Sequence, residues 1–144
     1  MHFKIVTPER VVVETEADSV SLPTPLGEIT ILKNHIPLVS TIAHGEVRFK
    51  HQSREELFAV SGGFVEVKEN HEVILLADTA EYGHEIDVAR AEEAREKARE
   101  LMAKSANDPK AIADANAAFY RNLTRIKVAH KHRTKSQQGI HTNP

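Results

Sequence analysis

An antiparallel β-sandwich or barrel followed by an antiparallel two-helix hairpin is the fold that this 144-residue sequence predicts. Three observations carry it. Short β-branched runs cut by turn residues fill the first 86 positions, and from position 87 apolar residues recur at steps of three and four. The change of period falls inside one stretch, SGGFVEVKENHEVILLADTAEYGHEIDVARA (residues 61–91), which leaves almost no linker. Residues 1–86 are therefore expected to form the sandwich, 87–133 the helical arm and 134–144 a disordered tail.

The strands follow in order. Residues 3–6, 11–13, 19–22 and 28–32 are short apolar runs, with Pro8, Pro23, Pro25, Gly27 and Asn34 between them as turn markers. Residues 46–50 alternate in polarity, and 57–61, 63–68 and 72–77 repeat the theme. Such spacing indicates a sandwich or barrel. KENHE (residues 68–72) is polar and centred on Asn70, which suits a hairpin tip. Gly62 and Gly63 sit inside the strand region, where a bulge or a tight turn that tolerates no Cβ explains them better than a phosphate cradle.

The helices come next. Ala91, Ala94, Ala98 and Leu101 form an apolar stripe, with Asp87 as N-cap and Glu93–Lys97 and Glu100–Lys104 as i,i+4 pairs. A break at residues 105–109 restarts a second helix capped by Asp108, with Pro109 at its first position. Its stripe is Ile112, Ala115, Phe119, Leu123 (or Asn122), Ile126 and Ala129. So short a break makes the two helices antiparallel neighbours. An alanine-rich seam buries little area, so the hairpin is expected to be marginal and able to reposition. From Thr134 onward apolar periodicity stops, which is the reason for expecting a tail.

Composition excludes several classes of function. No Cys is present, so thiol nucleophiles, thiolate metal sites and disulfides are ruled out. No phosphate-binding glycine loop and no HExxH helix occurs. His130, His132 and His141 lack a carboxylate beyond Asp114, and no metal site is expected. Hydrolase chemistry at His35 and Glu28 would lack a nucleophile and an orienting partner. No apolar run approaches the roughly 20 residues needed to span a bilayer, so membrane association is expected only through a partner.

Charge is divided unevenly. Residues 1–86 hold 7 basic and 14 acidic residues, and residues 87–144 hold 12 and 7. Arg121, Arg125, Lys127, Lys131, Arg133 and Lys135 all follow the last acid, Asp114. The distal arm suits an acidic protein surface or a nucleotide phosphate, or is simply a solvated helix face. Nucleic acid is not expected as a partner, because only Phe119 and Tyr120 supply aromatics there.

Four blocks taken together resemble the epsilon subunit of the rotary F-type ATP synthase, bacterial type. They are GEITILKNHIPLV (residues 27–39), SGGFVEV (61–67), VILLADTAE (73–81) and IDVARA (86–91), and the likeness runs from about Phe3 to about His130. In the first block Thr30 replaces the family's second glycine, and Lys33-Asn34 replace its Pro-Gly. The resemblance implies a non-catalytic central-stalk subunit of the proton-translocating ATP synthase, with no required cofactor. It also implies the gamma subunit, the c-ring and the alpha and beta subunits as partners, at the cytoplasmic face of the bacterial plasma membrane.

The same resemblance implies site residues. Glu28 and His35 match the loop that meets the c-ring. Arg121, Arg125, Lys127, Lys131 and Arg133 would meet the catalytic head when the hairpin extends and inhibits hydrolysis. Some bacterial members bind ATP as a regulatory ligand, and the matching positions are Glu81, Asp87, Arg90, Arg121 and Arg125. Here Asp114 and Lys97 stand where strong binders carry arginines. A free-standing ATP-sensing module, whose hairpin folds on nucleotide, is the alternative reading.

Overall fold

The computed structural model describes residues 1–138. Eight strands, β1 (His2–Val6), β2 (Val11–Glu16), β3 (Ser19–Thr24), β4 (Gly27–Leu32), β5 (Leu38–His51), β6 (Arg54–Val67), β7 (Glu72–Ala77) and β8 (Ala80–Tyr82), precede two helices, α1 (Val88–Lys104) and α2 (Pro109–Gln138). The strand order is β2-β1-β7-β6-β5-β3-β4, and β8 pairs with β6. All pairings are antiparallel except β1 with β7, which is parallel.

The two 14-residue strands β5 and β6 serve both layers of the sandwich. Residues 63–67 of β6 pair with β7, while residues 58–60 pair with β8. Their shared ladder is interrupted between the Ile42–Gly63 and His44–Ser61 pairs. Gly62 and Gly63 adopt φ of 81° and 133° there, a backbone region that side chains disfavour. The sequence treats residues 57–61 and 63–68 as separate strands because the glycine pair resembles a turn. In the fold it lies inside one continuous strand instead.

Alternate residues of each strand point inward, as a period of two requires. Phe3 and Ile5, Val20 and Leu22, Val47 and Phe49, Val65 and Val67, and Val73 and Leu75 belong to one buried core. A chain of aromatic rings crosses it, from Phe3 to Phe49 (5.4 Å between centroids), on to Phe58 (5.9 Å) and to Tyr82 (4.3 Å). At the β6–β7 hairpin the Asn70 side chain accepts from the Glu72 amide at 3.2 Å, so the polar tip sits where its sequence places it.

The helical unit begins at Gly83, four residues before the expected boundary. A 3-10 turn, Gly83–Glu85, packs on α2, and Ile86 lines a cavity with Ala129 and His132. Asp87 caps α1 by accepting from the Arg90 amide at 3.1 Å, and Asp108 accepts from the amides of Lys110 and Ala111 at the start of α2. Lys97 pairs with Glu93 at 3.3 Å.

Ala91 and Ala98 of α1 and Ala115, Asn122, Ile126 and Ala129 of α2 are buried. Two expectations change here. Leu101, expected in the stripe, is 54% exposed. It lines a groove of about 470 Å³ between the helices instead of filling it. The second concerns the tail: residues 134–138 continue α2. No Gly or Pro interrupts the chain before Gly139, and the hydroxyls of Thr134 and Ser136 bond back to the carbonyls of His130 and His132. Residues 139–144 of the expected tail lie outside the described residues.

Candidate functional site

Glu28 lies near the start of β4 and His35 beyond its end, so the strand separates the two residues expected at one contact. Arg48 of β5 donates to Glu28 at 2.6 Å and also lies 3.4 Å from Glu46. His35 follows Asn34, whose φ is 63°, and its Nδ1 donates to the Ile36 carbonyl at 2.7 Å. His35 is thus held by its own turn and Glu28 by a distant strand. Leu26 and Ile36, in the connections on either side of β4, are 101% and 74% exposed.

A second surface was not anticipated from the sequence. Backbone register aligns Val11, Val6, Leu76, Phe64 and Thr41 in a row across β2, β1, β7, β6 and β5. Val11, Phe64 and Leu76 are 52%, 55% and 53% exposed. The runs Phe64-Val65 and Ile74-Leu75-Leu76 held the clue, because apolar residues at both parities leave one of them on the outer face.

On the same face the charged groups of β1, β2 and β7 are interleaved. His2 bonds Glu14 at 3.0 Å and Glu16 at 3.2 Å, and Lys4 lies 3.4 Å from Glu14 and 3.2 Å from Glu72. The Glu14 carboxylate, then that of Glu16, raises the His2 pKa above its ordinary value. His2, followed by Lys4, holds Glu14 below the usual carboxylate range. Lys68, followed by Lys4, does the same to Glu72.

The hairpin sorts its expected site residues by what they touch. Asp87 is engaged as a cap, and Arg90 supplies the capped amide while its side chain is exposed. Arg125 is half-buried and donates to Asn122 Oδ1 at 3.0 Å. Arg121 lines the groove with Lys97 and Asp114, among Ala94, Ala98, Ala115 and Ala118. Glu81 lies on β8, paired across the ladder with Ala59.

At roughly 100° per residue, Arg121 and Arg125 share one side of α2, Lys127 and Lys131 share another, and Arg133 falls on neither. The five basic residues therefore do not form a single stripe. His132 stands against His84, with ring centroids 5.7 Å apart. Among the described residues no group of three or more metal-ligating side chains forms, and no helix is long and apolar enough to cross a membrane. His141 lies outside the described residues.

Both units of this architecture match known families. Residues 1–83 match "ATP synthase, Delta/Epsilon chain, beta-sandwich domain" and residues 84–130 match "ATP synthase, Delta/Epsilon chain, long alpha-helix domain". The chain belongs to the ATP synthase epsilon-chain family. It is 41% identical over 139 residues to an ATP synthase epsilon chain of Chloroflexus aggregans, covering 96% of this chain and 99% of that one. Against the Shouchella clausii epsilon chain it is 43% identical over 133 residues, covering 92% and 96%.

A chain in the mitochondrial ATP synthase of Euglena gracilis shares the fold, with a TM-score of 0.73 at 19% identity over 92% of this chain and 79% of that chain. Membership makes the epsilon chain a non-catalytic subunit of the rotary ATP synthase, in the central stalk. It brings no cofactor requirement.

Proposed function

We propose that the sandwich anchors this epsilon chain at the foot of the stalk and that the helical hairpin is a movable arm restraining ATP hydrolysis. The observation that supports an arm is the seam of α1 and α2, built of alanines beside an unfilled groove, on a helix whose distal half carries only basic charge. Such a seam buries little area and can part at modest cost. Once extended, Arg121, Arg125, Lys127, Lys131 and Arg133 would be offered to acidic surfaces of the alpha and beta subunits. Single exposed ion pairs contribute about 0–1 kcal/mol, so several must act together.

The anchoring contacts are assigned on the same footing. Glu28 and His35, flanked by exposed Leu26 and Ile36, are the proposed c-ring contact. The exposed row of Val11, Leu76 and Phe64 suits an apolar surface of the gamma subunit. Through these partners the chain would be held at the cytoplasmic face of a bacterial plasma membrane. Removing residues 87–144 tests the assignment: the truncated chain should still co-purify with gamma and the ring while ATP hydrolysis by the complex rises. Unchanged hydrolysis would sink the inhibitory role.

ATP as a regulatory ligand is a second reading, supported by Arg121 and Arg125 sharing one helical side within reach of a polyphosphate. Asp114, in the groove with Arg121, opposes it by repelling phosphate. ATP titration should give saturable NMR shifts that vanish in Arg125→Ala; their absence from the wild-type chain rejects this reading.

A further inference from the structure

Asn122 is the buried polar side chain of the helical unit among the described residues, at 5% exposed. It lies in the seam between Ala115 and Ile126 and lines the groove against α1. Both halves of its amide are satisfied on its own helix. Nδ2 donates to the Ala118 carbonyl at 2.8 Å, and Oδ1 accepts from Arg125 at 3.0 Å. Neither bond reaches α1.

A buried amide in a helix seam usually fixes partner and register by bonding across it. This one cannot, because its bonds travel with α2. Closing the hairpin desolvates the amide without gaining a bond between the helices, and the facing wall offers only Ala94, Ala98 and the half-exposed Leu101 as apolar contact. Parting the helices, in turn, breaks no hydrogen bond of Asn122. The groove of about 470 Å³ beside it leaves room for a larger apolar side chain.

We infer that Asn122 is the release element of the hairpin, a polar residue that keeps the closed state close to balance so that α2 can leave α1. The inference rests on the reading of the hairpin as a movable arm. It adds the residue that sets how easily the arm opens.

Hydrogen exchange of the α1 and α2 amides in the full chain measures that opening. Asn122→Leu adds apolar contact at the groove and removes the desolvated amide, so exchange should slow about tenfold relative to wild type. Asn116→Leu, the same exchange of residue types on the exposed side of α2, should leave the rate near wild type and so controls for helix propensity. If Asn122→Leu exchanges as fast as wild type, or no more slowly than Asn116→Leu, the release element is overturned. Should Asn122→Leu fail to fold, Asn122→Ala removes the amide without adding a large side chain and decides by the same readout: exchange no slower than wild type overturns the release element.

ATP hydrolysis by the assembled complex separates this inference from the reading beneath it. Slowed exchange with unchanged hydrolysis leaves the release element standing and refutes the inhibitory arm. Unchanged exchange overturns the release element whatever hydrolysis does.

Discussion

A Cβ added to Gly63 would stand 1.9 Å from the carbonyl oxygen of Leu76. Strands β6 and β7 approach so closely there that only hydrogen fits, and the φ of 133° adds strain for any side chain. Gly63→Ala should destabilise the sandwich by more than about 2 kcal/mol, read from chemical denaturation. Gly27 is the comparison: its φ is 124° but nothing lies within 4 Å of an added Cβ. Gly27→Ala should cost only the backbone term, about 1–2 kcal/mol.

The His2 cluster gives the sandwich a pH signature. The raised pKa of His2 contributes stability that is full below the ordinary value of 6.5 and is lost as pH rises through the higher folded value. The depressed Glu14 and Glu16 contribute above 4.5, and that contribution is lost as pH falls through their lower folded values. Both contributions are present together between pH 4.5 and 6.5. In His2→Gln, the loss of stability above that window should be shallower than in wild type, with the difference shrinking as salt is added. Parallel denaturation curves for the two proteins across pH 5 to 9 would count against the cluster.

Asp87 separates a structural role from a ligand role. As the N-cap of α1 its loss in Asp87→Ala should cost about 1 kcal/mol of hairpin stability, and Asp87→Ser should restore most of it. Circular dichroism during thermal melting reads both. If restoring the cap leaves an ATP response abolished, the carboxylate acts on nucleotide as well as on the Arg90 amide.

Glu28 and Arg48 form an exposed pair, so Glu28→Gln should change sandwich stability by less than about 1 kcal/mol. Retention of the chain on purified c-ring should weaken visibly in the same variant. Wild-type retention would remove Glu28 from the proposed contact.

Periodicity revealed most of the architecture because burial in this chain is local and regular. The expected run at residues 72–77 coincides with β7, and Asp87, Asp108 and Pro109 mark helix starts where their chemistry requires. β8 was missed, since three residues are too few to show alternation. The end of α2 was missed because a polar helix lacks apolar periodicity yet continues while no breaker intervenes. The run of basic residues on α2 and the turn holding His35 were legible. The partner of Glu28 was not, because Arg48 lies 20 residues away and meets it only across paired strands.

The sequence by itself determined the two-part architecture, the helix caps, the position of the period change and the charge asymmetry, since these follow from residue type and spacing along the chain. Tertiary structure decided that Gly62 and Gly63 lie within one strand, that Val11, Leu76 and Phe64 align on an outer face, and that Asn122 rather than Leu123 is buried in the seam. These depend on strand register and on the facing helix, contacts between residues far apart in the chain that no local pattern encodes.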